Sequence, residues 1–328
     1  MTKILVTGAG AVLGQGIIQS LRRSSLRPEI LAADPNPLSA GLFWADKAFR
    51  VPFADDAAFM DRIRSILSDE RPDAVLVGTD VELAAFSQHR AALEAEFGTR
   101  VIVSRPEVIA IADDKYRTFQ FLDGEGLHPP LSALPEDPAA LEELIDAVGF
   151  PLIVKPRVGA RSVGVSLVND RDALAQALDG RTGLLVQECV GTANVEYTAS
   201  VLVFDGEPRA SIVLRRDLRD GNTYRAYSEP SEALNAFTMR AGRTLQPYGP
   251  ANFQFRTDRD GRPRVFEINA RFSGTTPLRA MLGFNEVEMC LRRVLGGEEI
   301  RQPAIREATI LRFQSEILVT QDDLERVL

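Results

Sequence analysis

Two cysteines and two histidines are all that 328 residues offer of thiol and imidazole chemistry. Cys189 and Cys290 are too few and too far apart for a disulfide framework, and His89 and His128 have no metal-ligand spacing. Cys189 lies in the apolar run from Leu184 to Val190, where a small buried hydrophobe is the expected role. Thiol and zinc mechanisms are therefore disfavoured. Positive charge is also in short supply, since 38 Lys and Arg face 46 Asp and Glu for a formal charge of −8. Nucleic acid needs a basic footprint, so it is not an expected partner. No apolar run reaches membrane-spanning length, and Met1-Thr2-Lys3 leads straight into a strand without the features of a cleavable signal. Repeats and low-complexity tracts are missing as well. A cytoplasmic protein of ordinary globular composition is expected, long enough for about two domains.

What is present begins with a βαβ pattern. Lys3 to Thr7 reads as a buried strand, Gly8-Ala9-Gly10-Ala11-Val12-Leu13-Gly14 as a glycine turn, Gln15 to Arg23 as a helix, and Glu29 to Ala33 as a second strand ending at Asp34. A glycine loop with a trailing acid is the pattern of a dinucleotide site, although the glycine spacing is one residue longer than the usual fingerprint. An NAD(P)-dependent oxidoreductase is thus one reading. Strands at 48–52, 74–78 and 100–103 alternate with helices at 59–70 and 81–97, which implies a doubly wound parallel sheet. Thr79, Asp80 and Glu82 follow the fourth strand at the ligand-binding edge, where Asp80 as a cap and Glu82 as a first-turn acid are the favoured roles.

The periodicity changes at Ala112-Asp113-Asp114-Lys115, which opens a helix running to Gly124, and a further helix is expected over 139–148. Then comes Phe150-Pro151-Leu152-Ile153-Val154-Lys155-Pro156. A lysine closing an apolar strand calls for a partner. The loop that follows, from Arg157 to Val165, carries Gly159, Ser162 and Gly164, and its small residues let backbone amides form an anion-binding concavity. A strand at 165–168, a helix at 171–178 and a strand at 184–188 complete a small α+β unit that could cover a nucleotide.

Asp260-Gly261 sits between two alternating runs, a hairpin signal. With a two-residue loop, Gln254 lies opposite Glu267 and Asn252 opposite Asn269, while Phe253, Phe255, Phe266 and Ile268 turn toward the core. The polar face gathers one carboxylate, two amides and Arg271. Such a face is either solvated or holds a hard cation with phosphate; Mg²⁺ takes one or two protein oxygens and completes its shell with water and substrate phosphates.

In this order the parts resemble the ATP-grasp superfamily, and most of all the synthetase units of the carbamoyl-phosphate synthetase large subunit, where a glutamine such as Gln254 stands in place of an acid. The resemblance implies an α/β N-terminal doubly wound parallel sheet followed by an α+β ATP-grasp fold, with a small lid subdomain and a C-terminal antiparallel sheet with helices. The implied divisions are 1–111 for a pre-ATP-grasp Rossmann-like domain, 112–150 for linker helices, 151–190 for the lid and 191–328 for the catalytic subdomain. Lys115 and Lys155 would hold ATP phosphates beneath Gly159, Ser162 and Gly164. Gln187, Glu188 and Val190 would border the adenine, and Glu196 would accept the ribose hydroxyls. Gln254, Glu267 and Asn269 would hold Mg²⁺, with Mn²⁺ as a substitute, and Arg271 would face the transferring phosphoryl group.

Arg216 is expected on a solvated basic face, with a reach to the same phosphoryl oxygens as Arg271 as the alternative. The stretches Arg271 to Thr276 and Gly283 to Asn285 would shape the acceptor pocket, and the first glycine loop would line the acceptor side. The implied reaction joins a small carboxylate, an amino acid or a sugar acid, to an amine through an acyl phosphate; a non-catalytic nucleotide-binding protein is a further alternative, and homodimerisation stays open. With one synthetase unit, no glutaminase and no following allosteric domain, carbamoyl phosphate synthesis is not expected.

Overall fold

The computed structural model describes residues 2–159, 163–191 and 195–327. The chain opens as alternating strands and helices: β1 (Lys3–Thr7), α1 (Val12–Arg22), β2 (Glu29–Asp34), α2 (Ala40–Phe43), β3 (Lys47–Arg50), α3 (Phe59–Glu70), β4 (Ala74–Val77), α4 (Asp80–Phe97) and β5 (Arg100–Ile102). These strands are too apolar to leave either face in water, and helices cover both faces of a parallel sheet ordered β3-β2-β1-β4-β5. Strand order reverses between β1 and β4. The crevice at that point, outside the carboxyl ends of the strands, is where such sheets bind ligands.

Two helices follow, α5 (Pro106–Asp113) and α6 (Lys115–Gly124). The helix expected to open at Ala112 to Lys115 is α6, whereas α5 has no counterpart in the sequence pattern; Asp114 ends α5 and caps α6, its Oδ1 accepting the N–H of Tyr116 at 2.8 Å. Next come β6 (Ser132–Ala133), α7 (Pro138–Val148), β7 (Leu152–Pro156), β8 (Ser166–Val168), α8 (Arg171–Leu178) and β9 (Leu184–Glu188). Their strands form an antiparallel sheet ordered β6-β9-β7-β8. This lid has a hydrophobic cluster of its own, built from Leu152, Val154, Val186 and Leu174 together with Ala133, Leu144 and Ile145. It therefore takes in α7 and β6, which the sequence reading assigned to the linker.

The rest of the chain comprises β10 (Glu196–Phe204), β11 (Glu207–Arg219), β12 (Asn222–Ser228), α9 (Glu232–Leu245), β13 (Gly249–Thr257), β14 (Pro263–Asn269), α10 (Thr276–Met281), α11 (Glu286–Gly296), β15 (Thr309–Leu311) and α12 (Gln321–Glu325). Its six-stranded antiparallel sheet is ordered β14-β13-β10-β11-β12-β15. One hydrophobic cluster joins Leu5, Val75 and Val101 of the parallel sheet to Val201, Phe253 and Phe255 of this sheet, and a second joins Ile4 and Val6 to Leu202, Phe284 and Leu291. The first and last parts of the chain are thus packed as one body, against which the lid stands apart.

The β13–β14 hairpin has the expected pairing of Gln254 with Glu267 and Asn252 with Asn269, but by another route. The loop is five residues long, held by Asp258, whose Oδ1 accepts the N–H groups of Asp260 and Arg262 at 3.0 and 2.9 Å. A β-bulge then shifts the register between Gln254 and Phe255, so that Phe255 faces Val265. The extra residue in one strand offsets the longer loop. Val265 accordingly goes into the core in place of Phe266, which is only partly buried and lines a cleft.

Candidate nucleotide and metal site

The cleft lies between the lid and the six-stranded sheet, bordered by Lys115, Lys155, Gly159, Gln187, Glu188, Val190, Glu196, Gln254 and Glu267. Lys155 ends β7 and is 5% exposed. Its ammonium donates to Oε1 of Gln187 at 2.7 Å and to the carbonyl of Phe266 at 3.4 Å. Both partners are neutral. Burial pushes its pKa down to about 7, with Glu267 pulling the other way. Gln187 is in turn fixed by donating to Ser132 Oγ at 2.8 Å. Lys115 is held beside the segment that follows β7: Asp114, besides capping α6, pairs with Arg157 at 2.5 Å, and Lys115 Nζ donates to the carbonyl of Gly159 at 2.7 Å. Two ammonium groups thus converge beside the glycine loop. Ser162 lies outside the described residues; Gly164 has φ +74°, in the left-handed region that favours glycine.

At the inner end, the N–H of Glu188 is taken by the carbonyl of Leu131 at 2.8 Å, so the backbone group left to it for a base edge is its carbonyl. Its carboxylate is held by Arg264 at 2.7 Å. Val190 follows, buried at the cleft wall.

On the facing sheet, Glu267 Oε1 accepts from the amides of Gln254 at 3.1 Å and Asn269 at 3.0 Å. The amide oxygens point the other way, toward Arg216 at 2.5 Å for Gln254 and Arg271 at 2.7 Å for Asn269. Among the described residues no three His, Cys, Asp or Glu side chains cluster to hold a metal. One carboxylate flanked by two amides is nevertheless an all-oxygen set suited to Mg²⁺, which draws its remaining ligands from water and phosphate. A half-turn of either amide would bring its oxygen alongside Glu267. The residues fit the ion.

Several expectations need correction. Arg216 is not on a solvated face: it is 8% exposed and pairs with Glu196 at 2.6 Å, while Arg256 reaches the other oxygen of Glu196 at 3.1 Å. The carboxylate assigned to ribose therefore already carries two guanidinium groups. Arg271 is gripped on both nitrogens by Asp80 at 2.6 and 3.0 Å, so Asp80 is an ion-pair partner, and the N-cap position of α4 belongs to Thr79. Glu82 does stand in the first turn of α4, as expected. It is buried against Thr7 Oγ1, and burial, reinforced by Asp34, drives its carboxyl up to about 7. Phe284 lies in the core and Asn285 caps α11, which accounts for both without an acceptor pocket.

The first glycine loop closes on its own trailing acid. Asp34 accepts from the N–H of Gly10 at 2.6 Å and from Ser39 Oγ at 2.6 Å, and is itself buried. The carboxylate that a dinucleotide ribose would need is spent inside the protein. On its far side the loop leans on the segment after β14: a Cβ at Gly274 would stand 3.3 Å from Val12, and one at Gly16 2.9 Å from Pro277.

Arg312 escaped the sequence reading altogether. Its side chain donates to the carbonyl of Gly274, no carboxylate among the described residues lies within 4 Å, and burial lowers its pKa. Nothing in its local sequence marks it. Arg256 was missed for the same reason, since its partner is on another strand.

A lid over an antiparallel sheet, a buried Lys155 and a partly buried Lys115 beside a glycine loop, and a one-carboxylate oxygen set match the arrangement expected of an ATP-grasp protein. Family comparisons agree. The "RimK-like ATP-grasp domain" matches residues 112–232, "ATP-grasp in the biosynthetic pathway with Ter operon" matches 182–316, and "PylC-like, N-terminal domain" matches 4–102. Together the two ATP-grasp models take in residues 112–316 of this chain. It is 22% identical over 332 residues to the carbamoyl phosphate synthase large chain of Methanosarcina acetivorans, an alignment that covers 92% of this chain and 30% of that protein. The chain thus spans about a third of that relative.

Among solved structures, the biotin carboxylase domain of Hydrogenobacter thermophilus 2-oxoglutarate carboxylase, determined with MgADP, ADP and bicarbonate, superposes with a TM-score of 0.72 at 18% identity, covering 94% of this chain and 73% of that one. The L-amino acid ligase from Bacillus licheniformis gives 0.69 at 20% identity, covering 89% and 74%. These likenesses establish the fold.

Proposed function

We propose that the protein is an ATP- and Mg²⁺-dependent carboxylate–amine ligase acting on a small carboxylate. The observation that carries this reading is Lys155: a buried ammonium with only neutral hydrogen-bond partners, directed into a cleft whose opposite wall holds Glu267 between two amides. A buried charge with no charged partner at hydrogen-bond distance is costly, and a triphosphate supplies one. Lys155 and Lys115 bind its phosphates, the edge from Gln187 to Val190 takes the base, and Gln254, Glu267 and Asn269 hold Mg²⁺ or Mn²⁺, which when bound neutralises phosphate charge. Glu196 holds Arg216 and Arg256 in place, one on each carboxylate oxygen, and would take a ribose hydroxyl only on an oxygen shared with one of them. Arg271, aimed by Asp80, faces the reacting end.

The carboxylate oxygen of the substrate attacks the γ-phosphorus and ADP leaves. The amine nitrogen then attacks the acyl carbon, phosphate leaves with the bonding electron pair, and the amine gives up a proton. Charge spreads over the transferring oxygens, so positioned cations matter more than a protein nucleophile. The lid keeps water from the acyl phosphate. Incubating the protein with MgATP, hydroxylamine as amine and a set of carboxylates tests the reading. Carboxylate-dependent formation of ADP and a hydroxamate is expected; MgATP binding with no carboxylate dependence would overturn it.

A further inference from the structure

In residues 2–130 the large apolar side chains that stand exposed are four: Val12 at 38%, Leu38 at 68%, Phe53 at 68% and Val81 at 73%. Single exposed apolar side chains need no explanation. These four, however, share one place. Phe53 follows β3, Leu38 follows β2, Val12 follows β1 and Val81 follows β4, and β3-β2-β1-β4 is the order of the sheet. All four therefore sit at the carboxyl edge, spread across roughly 15 Å at the usual strand spacing, with Val12 at the start of α1 on one face of the sheet and Val81 at the start of α4 on the other. The opposite edge and the outer helix faces of the same domain carry none.

Contacts tie this row to the reacting end of the cleft. A Cβ at Gly274, three residues beyond Arg271, would stand 3.3 Å from Val12, and Asp80, next to Val81, grips Arg271 itself. Ser39, next to Leu38, and Gly10 share Asp34, whose carbonyl also accepts the N–H of Val51 at the foot of the Phe53 loop. Arg271 is bonded to Asn269 and so to the proposed metal face. An apolar row thus begins where the transferring phosphoryl group would be and runs outward along the sheet edge.

We infer that this row receives the body of the carboxylate substrate, and that the substrate is an acid with an apolar side chain, such as an aliphatic or aromatic amino acid, rather than a sugar acid or a charged amino acid. The inference rests on the ligase reading above. Polar hydroxyls laid on these side chains would lose hydrogen bonds to water without replacement, whereas an aliphatic or aromatic group would shed hydrating water favourably.

The test uses the intact protein with MgATP and hydroxylamine, and compares leucine, methionine and phenylalanine with aspartate, lysine and gluconate as carboxylates. ADP formation should favour the first three. Leu38→Asp and Phe53→Asp, both at exposed positions, should each raise KM for the best apolar acid about tenfold while KM for ATP and the melting temperature stay put. Gluconate or a charged amino acid as best substrate, or wild-type KM in both variants, would overturn the inference and leave the ligase reading standing. An apolar preference that follows the amine, when amines replace hydroxylamine, would overturn the assignment to the acyl side. Loss of a self-associated form in the variants with KM unchanged would give the row to a second copy instead. If no carboxylate elicits ADP, the ligase reading itself falls and this inference falls with it.

Discussion

A lysine whose proton is held only by a glutamine oxygen and a backbone carbonyl is poised near neutrality, and Lys155, at about 7, is in that position. At pH 8 most of the free protein carries it uncharged. Phosphate oxygens at hydrogen-bond distance favour the ammonium, so binding a triphosphate raises the pKa and draws a proton from solution. Nucleotide affinity should therefore fall as pH rises through 7, and calorimetry at pH 8 in buffers of different ionisation enthalpy should register uptake of up to one proton per MgATP bound. At pH 6, where the lysine is already charged, the uptake should vanish. Lys155→Ala should abolish the uptake and weaken binding about 10- to 100-fold, the range of a charged hydrogen bond. Equal proton uptake in wild type and Lys155→Ala would remove the lysine from the phosphate site.

At the scale of elements, the β13–β14 hairpin decides what the cleft can hold. Cross-strand pairing sets Gln254 against Glu267, and their hydrogen bond at 3.1 Å places the sole carboxylate of the trio between two amides. Glu267→Gln keeps the shape and hydrogen bonding of that position but removes the charge a hard cation requires. Turnover should be lost, nucleotide-dependent Mg²⁺ affinity should drop, and the melting temperature should change little; full activity in this variant would remove the metal from Glu267.

That the pairing was readable from Asp260-Gly261 owes something to compensation, because a longer loop and a bulge cancel. Alternation of Phe253, Phe255 and Ile268 survives in the structure, whereas Phe266 does not follow it, since a bulge changes which face a residue occupies without changing the sequence pattern. Helices α3 and α8 and strand β9 fall where their periodicity and flanking signals put them. Local pattern could not show that Arg216 and Arg256 meet Glu196, or that Arg216 also reaches Gln254, because those contacts cross three neighbouring strands. Asp34 was misleading for a related reason: the loop geometry of a dinucleotide site is present, but Ser39 and Gly10 close over the acid.

For the molecule as a whole, the partition of its cores implies where motion is allowed. The parallel sheet and the six-stranded sheet share two hydrophobic clusters, so separating them would expose large apolar area; the lid has its own cluster and meets the sheet chiefly through polar ties. Among the described residues those ties include Lys155 to Phe266 and Arg264 to both Glu188 and the carbonyl of Pro129, and Arg157 to Asp114 and Lys115 to Gly159 add ties to α6. A unit with an independent core and hydrogen-bonded attachments can swing without unfolding. The cleft beneath it contains two ammonium groups, and a triphosphate bridging them to the metal face would pull the lid onto the sheet.

Hydrogen exchange with and without a non-hydrolysable MgATP analogue reads this directly. Amides in β7, β8 and the first turn of α6 should exchange more slowly with nucleotide bound, while those in β1, β2 and β4 should be unchanged. Lys155→Ala should lose the protection in β7 and β8 at nucleotide concentrations that saturate the wild type. Equal protection in the lid and the parallel sheet would mean that the protein tightens as one body, and the separate core of the lid would then mark a folding unit and not a moving one.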